Sequence, residues 1–405
     1  MTWIAGVWLL LLSSHLLGRI AERLGQPALL GQMLAGILLG PLLLGWLKPG
    51  PQLGALVDFS VLFVVITAGL EMRLSHLVGA IRGKGAIALS LGFLIPAASS
   101  AVFTYWLGMA FVPAMVTALC ISVTALPVAL RILAAFGLLN TRVARIAIAS
   151  SLLADLIVLL VLGTLMAVLA HEDGIGSIWQ IGGMALAKLL LLLGLVAACH
   201  YLCVWLSARR KAAANSGAPD SVEQAMIVTV IFLLGLGVTS EWLGFHSVTG
   251  VFFGSLLISA DLLGEARFRS MTQTFELMTA AIFAPLFLAY QGIQFELGAL
   301  QDVTLLVGLL IVAVASKMLG GYAAARLNHL PKYEAWGVAI ITNARGVMGM
   351  VVATIAYRAG LVSQDLFSTL LIVGIATTLI TPSLLKQWLK DDTKVKAMLG
   401  AGEGA

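Results

Sequence analysis

Apolar residues occur in long runs from one end of the 405-residue chain to the other, and short polar or Gly- and Pro-containing segments separate them. A helix needs about 20 predominantly apolar residues to cross the hydrocarbon of a bilayer. The runs therefore predict an all-α, polytopic membrane protein with about thirteen transmembrane helices. The predicted spans lie near residues 3–22, 28–46, 54–70, 85–108, 112–136, 143–170, 178–207, 222–243, 245–262, 272–292, 302–325, 333–357 and 366–389.

Composition supports a membrane protein and excludes several other classes. Hydrophobic residues make up 60% of the chain and charged residues 11%, whereas a soluble domain carries about 25% charged residues. The basic residues lie between apolar runs rather than on one face, so nucleic acid is not a predicted partner. The serines in the sixth span have no nearby histidine, so we do not expect an enzyme, and we predict neither a cofactor nor a bound metal.

The distribution of Lys and Arg predicts how the chain crosses the bilayer. Most of the 24 basic residues fall in loops on one side, and Lys48 and Arg358 are the only ones that fall in loops on the other. The basic loops of membrane proteins face the cytoplasm. We therefore expect residues 1–390 to form a membrane domain with its N-terminus outside and a short cytoplasmic tail at 391–405, in a bacterial inner membrane.

Three ionisable side chains lie well inside predicted spans: Asp155, Lys317 and Arg345. A charge in hydrocarbon costs at least about 2.5 kcal/mol, so such residues usually mark ion pathways. Asp155 lies near the middle of the sixth span, where a carboxylate can bind either a proton or a small cation. That competition is the minimum requirement for proton-coupled cation exchange. The alternative is that Asp155 is merely paired with Lys317 or capped by Ser151.

Two spans are interrupted near their middles. Pro127 removes a backbone donor from the fifth span and frees carbonyl groups near Thr124. In the twelfth span Asn343 and Arg345 lie beside glycines, and broken helices are tolerated at membrane depth only where they line a cavity or are buried in protein. The two spans run in opposite directions, which predicts inverted repeats with two crossed broken helices. An ordinary kink at Pro127 and a snorkelling Arg345 are the alternatives.

An ordered set of short motifs covers nearly the whole chain. The set comprises Gly25–Pro27, Gly36–Pro41, Ala68–Glu71, Thr124–Leu133, Gly137–Thr141, Asp155, Lys317 with Gly320, and Asn343–Gly346. In this order the motifs resemble the second monovalent cation:proton antiporter family, the branch that includes Kef-type and sodium:proton exchangers.

The resemblance implies the sodium:proton antiporter fold, with a core domain, a dimerisation domain and a homodimer. The core would comprise approximately residues 85–170 and 302–390, and the dimerisation domain the remaining spans. Asp155 would carry the ion and the proton, and Thr124 with nearby carbonyl groups would supply ligands. Lys317 would be the midplane lysine that pairs with an acid in some members.

Two further assignments complete the predicted site. We place Ser151, one turn before Asp155, among the ion and proton ligands. We assign Pro127, Lys317, Asn343 and Arg345 to charge compensation where the helices cross.

Many members of this family carry Asp or Asn immediately before the essential Asp, but here that residue is Ala154. A single carboxylate predicts electroneutral exchange of one Na⁺ or K⁺ for one H⁺. Two other functions use the same features: a Kef-type gated K⁺ efflux pathway, and a carrier for an organic anion that binds Arg345 and the positive helix ends.

Overall fold

A computed structural model of the chain describes residues 3–24, 26–70, 84–124, 129, 133, 136, 138, 141–169, 187–188, 190–192, 194–199, 201–202, 222–296, 298 and 302–389. The regular elements assigned in these residues are helices, which confirms the all-α class. In chain order they are α1 (Trp3–Arg23), α2 (Ala28–Leu39), α3 (Pro51–Leu70), α4 (Lys84–Trp106), α5 (Phe111–Ser122), α6 (Arg142–Leu169), α7 (Val222–Trp242), α8 (Ser247–Leu257), α9 (Ala260–Leu263), α10 (Glu265–Met278), α11 (Ala284–Ile293), α12 (Val303–Leu327), α13 (Lys332–Thr342), α14 (Gly346–Arg358) and α15 (Gln364–Trp388).

Eight helices in the described residues are long and apolar enough to cross a membrane, or nine if the bent pair α13–α14 counts as one span. A π-helical turn at Thr279–Phe283 joins α10 to α11, so Glu265–Ile293 forms one of these spans. Shorter apolar helices are α2, α5, α8 and a segment at Leu190–Cys199. Because much of the predicted span 178–207 lies outside the described residues, the number of thirteen spans stays a prediction.

The chain divides into two compact units. The first comprises Met1–Leu53, His76–Val158 and Leu288–Ala405, and the second comprises Gly54–Ser75 and Leu159–Phe287. The predicted site residues that the structure describes all belong to the first unit. That unit also contains α1 and α2, which the sequence analysis assigned to dimerisation, and the functional roles of the two parts stay a prediction.

In the first unit, α12 packs against both α4 and α13. Two adjacent glycines allow this close approach. A Cβ atom on Gly320 would lie 2.8 Å from the carbonyl oxygen of Leu91, and one on Gly321 would lie 3.0 Å from Cα of Ala339. Small residues at such contacts let helix backbones touch within a membrane. The seam fixes the position of Lys317, which lies one turn before these glycines on α12.

A second glycine seam joins α2 to α11. A Cβ atom on Gly36 would overlap the carbonyl group of Ala289, and one on Gly292 would overlap the carbonyl oxygen of Met33. Neither position has room for a side chain, so the two backbones are in direct contact.

The second unit has an aromatic core between α3 and α10. The rings of Phe63 and Phe283 stack with centroids 4.0 Å apart, and Phe275 lies against Phe63 at 5.9 Å. Beside them the hydroxyl groups of Thr67 and Thr279 are hydrogen-bonded at 2.7 Å. The π-helical turn begins at Thr279, so this pair ties the irregular turn to α3.

Candidate functional site

The first broken helix of the site is α5. It ends at Ser122, and Val123 adopts an extended conformation with φ −62° and ψ 150°. Thr124 follows without helical structure. Pro127, which was predicted to interrupt this span, lies outside the described residues together with its neighbours 125–128.

The second broken helix is the pair α13–α14, whose axes are bent by 44°. α13 ends at Thr342, and α14 begins at Gly346, which has φ +46°. That region of backbone space favours glycine. The first amide of α14, Gly346 N–H, donates to Thr378 Oγ1 on α15 at 3.0 Å. The interruption predicted from Asn343 and its neighbours is therefore present.

The two breaks are in direct contact. Thr124 Oγ1 donates to the carbonyl oxygen of Thr342 at 3.3 Å. Arg345 Nε donates to the carbonyl oxygen of Ile121 at 2.9 Å. These hydrogen bonds join the end of α5 to the α13–α14 break within one compact unit.

Arg345 is 1% exposed, and its described hydrogen-bond partners are backbone carbonyl groups. Besides Ile121, it donates from Nη2 to the carbonyl oxygen of Ala313 on α12 at 2.7 Å. Ile121 lies in the last turn of α5, where free carbonyl groups carry partial negative charge. The guanidinium group thus lies beside the end of α5 and is buried, so it does not snorkel to an interface.

Lys317 is also 1% exposed and also binds carbonyl groups. Its ammonium group donates to the carbonyl oxygen of Ser122 at the end of α5. It also donates to the carbonyl oxygen of Gly92 on α4 at 3.2 Å. Neither of these partners is the carboxylate of Asp155.

Asp155 is fully buried on α6, and neither carboxylate oxygen has a hydrogen-bond partner among the described residues. The charge of Lys317 and the backbone N–H of Thr124 are close enough to act on it electrostatically. Ser151 donates its hydroxyl to the carbonyl oxygen of Ala147 at 2.8 Å, so it does not cap Asp155. The carboxylate is therefore available to a proton or a cation.

Some members of the site were missed by sequence reasoning. The carbonyl groups of Gly92, Ile121, Ser122 and Ala313 have no sequence signature, because every residue carries one. Thr378 did have a signal, since it is a polar residue in the middle of the apolar run that forms α15. Its role depends on the position of Gly346, which the pattern alone does not give.

The family model described as "Sodium/hydrogen exchanger, transmembrane" matches residues 9–391. The chain belongs to this sodium/hydrogen exchanger family. It is a multi-pass membrane protein, and the predicted class of transporter is confirmed.

Relatives match along almost the entire chain. The Na⁺/H⁺ antiporter of Enterococcus hirae is 27% identical over 397 residues, which cover 96% of this chain and 99% of the relative. The Na⁺/H⁺-K⁺ antiporter GerN of Bacillus cereus is 26% identical over 382 residues, covering 93% of this chain and 94% of GerN.

The fold is that of a solved antiporter. The structure of the sodium proton antiporter MjNhaP1 from Methanocaldococcus jannaschii at pH 8 superposes with a TM-score of 0.67 at 17% sequence identity. The match covers 95% of each chain. The predicted sodium:proton antiporter fold is therefore confirmed.

Proposed function

We propose that this protein is a secondary antiporter that exchanges Na⁺ or K⁺ for H⁺, and that Asp155 is the shared site for both ions. The observation that carries the proposal is the state of the Asp155 carboxylate: it is fully buried and has no hydrogen-bond partner among the described residues. At such a site a carboxyl group is either neutralised by a proton or, when ionised, balanced by a cation. The names of the relatives in Enterococcus hirae and Bacillus cereus support the same pair of reactants.

In the proposed cycle, ionised Asp155 binds the cation at one side of the membrane. Oxygen atoms of Thr124 and Ser151 replace part of the hydration shell. After the core has moved, a proton from the other side binds Asp155 and displaces the cation. Binding is competitive, and the core moves only when Asp155 holds one of the two ions. Neither ion therefore crosses unless the other is exchanged.

Lys317 and Arg345 do not take part in the proton exchange of the proposed cycle. Lys317 and Arg345 hold backbone carbonyl groups at the breaks, which supports a scaffolding role for both. Asp155 then alternates between one proton and one monovalent cation, since Ala154 supplies no second carboxylate. The proposed exchange is electroneutral.

The remaining parts of the proposal concern assembly. We assign residues 85–170 and 302–390 to a core that moves, and the other spans to a dimerisation domain in a homodimer. The loops rich in Lys and Arg support an orientation with the N-terminus outside and the C-terminus inside. The membrane we propose is the inner membrane of a bacterium.

Everted vesicles that contain the protein and a pH-sensitive dye test the proposal. After respiration has acidified the lumen, NaCl or KCl should dequench the dye, because luminal protons leave as cations enter. The choline salt of an organic acid should have no effect, and a response to it would instead identify an anion carrier. K⁺ flux without proton movement would identify a Kef-type efflux pathway.

A further inference from the structure

Asn343 has an unsatisfied, fully buried side chain at the α13–α14 break. It is 0% exposed, and neither Oδ1 nor Nδ2 has a hydrogen-bond partner among the described residues. The lack of a partner concerns the side chain, because the backbone N–H of Asn343 donates to the carbonyl oxygen of Ile340 at 3.2 Å. Buried amide groups are normally hydrogen-bonded, so an exception needs an explanation, such as a bound water molecule or ion.

The position of Asn343 relates it to Asp155. Thr342, the residue before it, accepts the hydrogen bond from Thr124 Oγ1. The backbone N–H of Thr124 in turn acts on the Asp155 carboxylate. Thr124 therefore lies beside the Asp155 carboxylate and also contacts the backbone of Thr342, the residue that precedes Asn343.

The polar side chains on either side of Asn343 each have a hydrogen-bond partner, whereas its amide has none among the described residues. Thr342 Oγ1 donates to the carbonyl oxygen of Val338 at 2.9 Å within α13. Arg345 extends to carbonyl groups on α5 and α12. An amide has no net charge, so Asn343 cannot compensate a helix end in the way that Arg345 does.

We propose that Oδ1 of Asn343 is a ligand of the transported cation and that it sets the preference between Na⁺ and K⁺. The inference rests on the proposed function and adds a second side-chain oxygen to the Asp155 site. Oxygen ligands replace the hydration shell of Na⁺ and K⁺, and the number of ligands and the size of the cavity determine which ion fits. A neutral ligand adds coordination without a second titrating group, in keeping with one carboxylate.

The test compares Asn343→Leu with the wild type in everted vesicles over a range of NaCl and KCl concentrations. Loss of one ligand should raise the apparent KM for the preferred cation about fivefold or more, and change the ratio of the Na⁺ and K⁺ values. The matched control is Gln291→Leu. Gln291 on α11 is also 0% exposed with both amide atoms unpartnered among the described residues, and its replacement should leave both KM values unchanged.

A wild-type KM ratio in active Asn343→Leu would overturn the inference. If that variant does not accumulate, Asn343→Ser takes its place, because the shorter serine side chain keeps a polar group but withdraws the oxygen. The second readout is thermal stabilisation of the purified protein by NaCl and by KCl, which needs no transport. If each salt raises the unfolding temperature of Asn343→Ser by as much as it raises that of the wild type, the inference is also overturned. Wild-type vesicles without cation-dependent exchange would refute the proposed function itself, and the inference with it.

Discussion

The ammonium group of Lys317 donates to the carbonyl oxygen of Ser122, the last helical residue of α5. A second hydrogen bond to Gly92 at 3.2 Å ties the same group to α4. The lysine therefore stabilises the broken end of one helix against another, at a point where the backbone has no helical partner of its own. We infer a scaffolding role for Lys317, because the described hydrogen bonds of its ammonium group go to carbonyl groups and not to Asp155.

We predict that exchange is independent of membrane potential. A cycle that moved one net charge across 100 mV would change its driving force by about 2.3 kcal/mol. Na⁺/H⁺ exchange in proteoliposomes clamped with K⁺ and valinomycin should run at the same rate with and without an imposed potential. Lys317→Arg keeps the charge but cannot release a proton. Potential-sensitive exchange in the wild type that becomes insensitive in Lys317→Arg would make Lys317 a second proton carrier.

Replacement of Asp155 by Asn should abolish exchange and leave folding intact. The amide has nearly the shape of the carboxylate but neither titrates nor carries a charge. Dye dequenching in vesicles measures the exchange, and size-exclusion chromatography measures the folded protein. Asp302→Asn is the matched control, because Asp302 is exposed and caps α12 through Leu305 N–H at 2.9 Å, a role that Asn also fills. If Asp155→Asn exchanges ions as fast as this control, Asp155 is not the shared site for the cation and the proton.

Replacement of Arg345 by Ala should destabilise the fold and lower transport. Hydrogen bonds from charged groups contribute about 1.5–3 kcal/mol each, and the variant loses the bonds to Ile121 and Ala313. Arg345→Lys should recover part of the loss, because an ammonium group reaches one of the two carbonyl groups. The measurement is the thermal unfolding temperature together with the exchange rate. The control is Arg269→Ala, at an exposed arginine on α10, which should change neither the unfolding temperature nor the exchange rate. If Arg345→Ala also changes neither, Arg345 does not stabilise the contact between the two breaks.

Thr378→Val should slow exchange and lower the unfolding temperature. The hydroxyl of Thr378 accepts from Gly346 N–H at 3.0 Å and so caps α14 at the break. Loss of a helix cap costs about 0.5–2 kcal/mol. Thr377→Val is the control, since Thr377 is equally buried but donates to Val373 at 2.9 Å within its own helix. If both valine variants behave alike, the cap has no special importance.

The sequence predicted those parts of the site that are expensive to bury. A charged residue inside an apolar run is costly and therefore usually functional. This argument identified Asp155, Lys317 and Arg345. The α13–α14 break was found because Asn343 and the flanking glycines weaken a helix. The hydrogen-bond partners of Lys317 and Arg345 could not be predicted from the sequence. They are backbone carbonyl groups, which come close to these side chains only when α4, α5 and α12 pack together.

The contact of Gly36 with Ala289 has a consequence for biosynthesis. The two residues are about 250 positions apart, and a ribosome that adds about 5–20 residues per second needs tens of seconds to make the intervening chain. During that time α11 does not yet exist, so the glycine surface of α2 lacks the partner that it has in the folded protein. The seam closes only after α11 has been inserted, so this unit reaches its final form late, when most of the chain has left the ribosome.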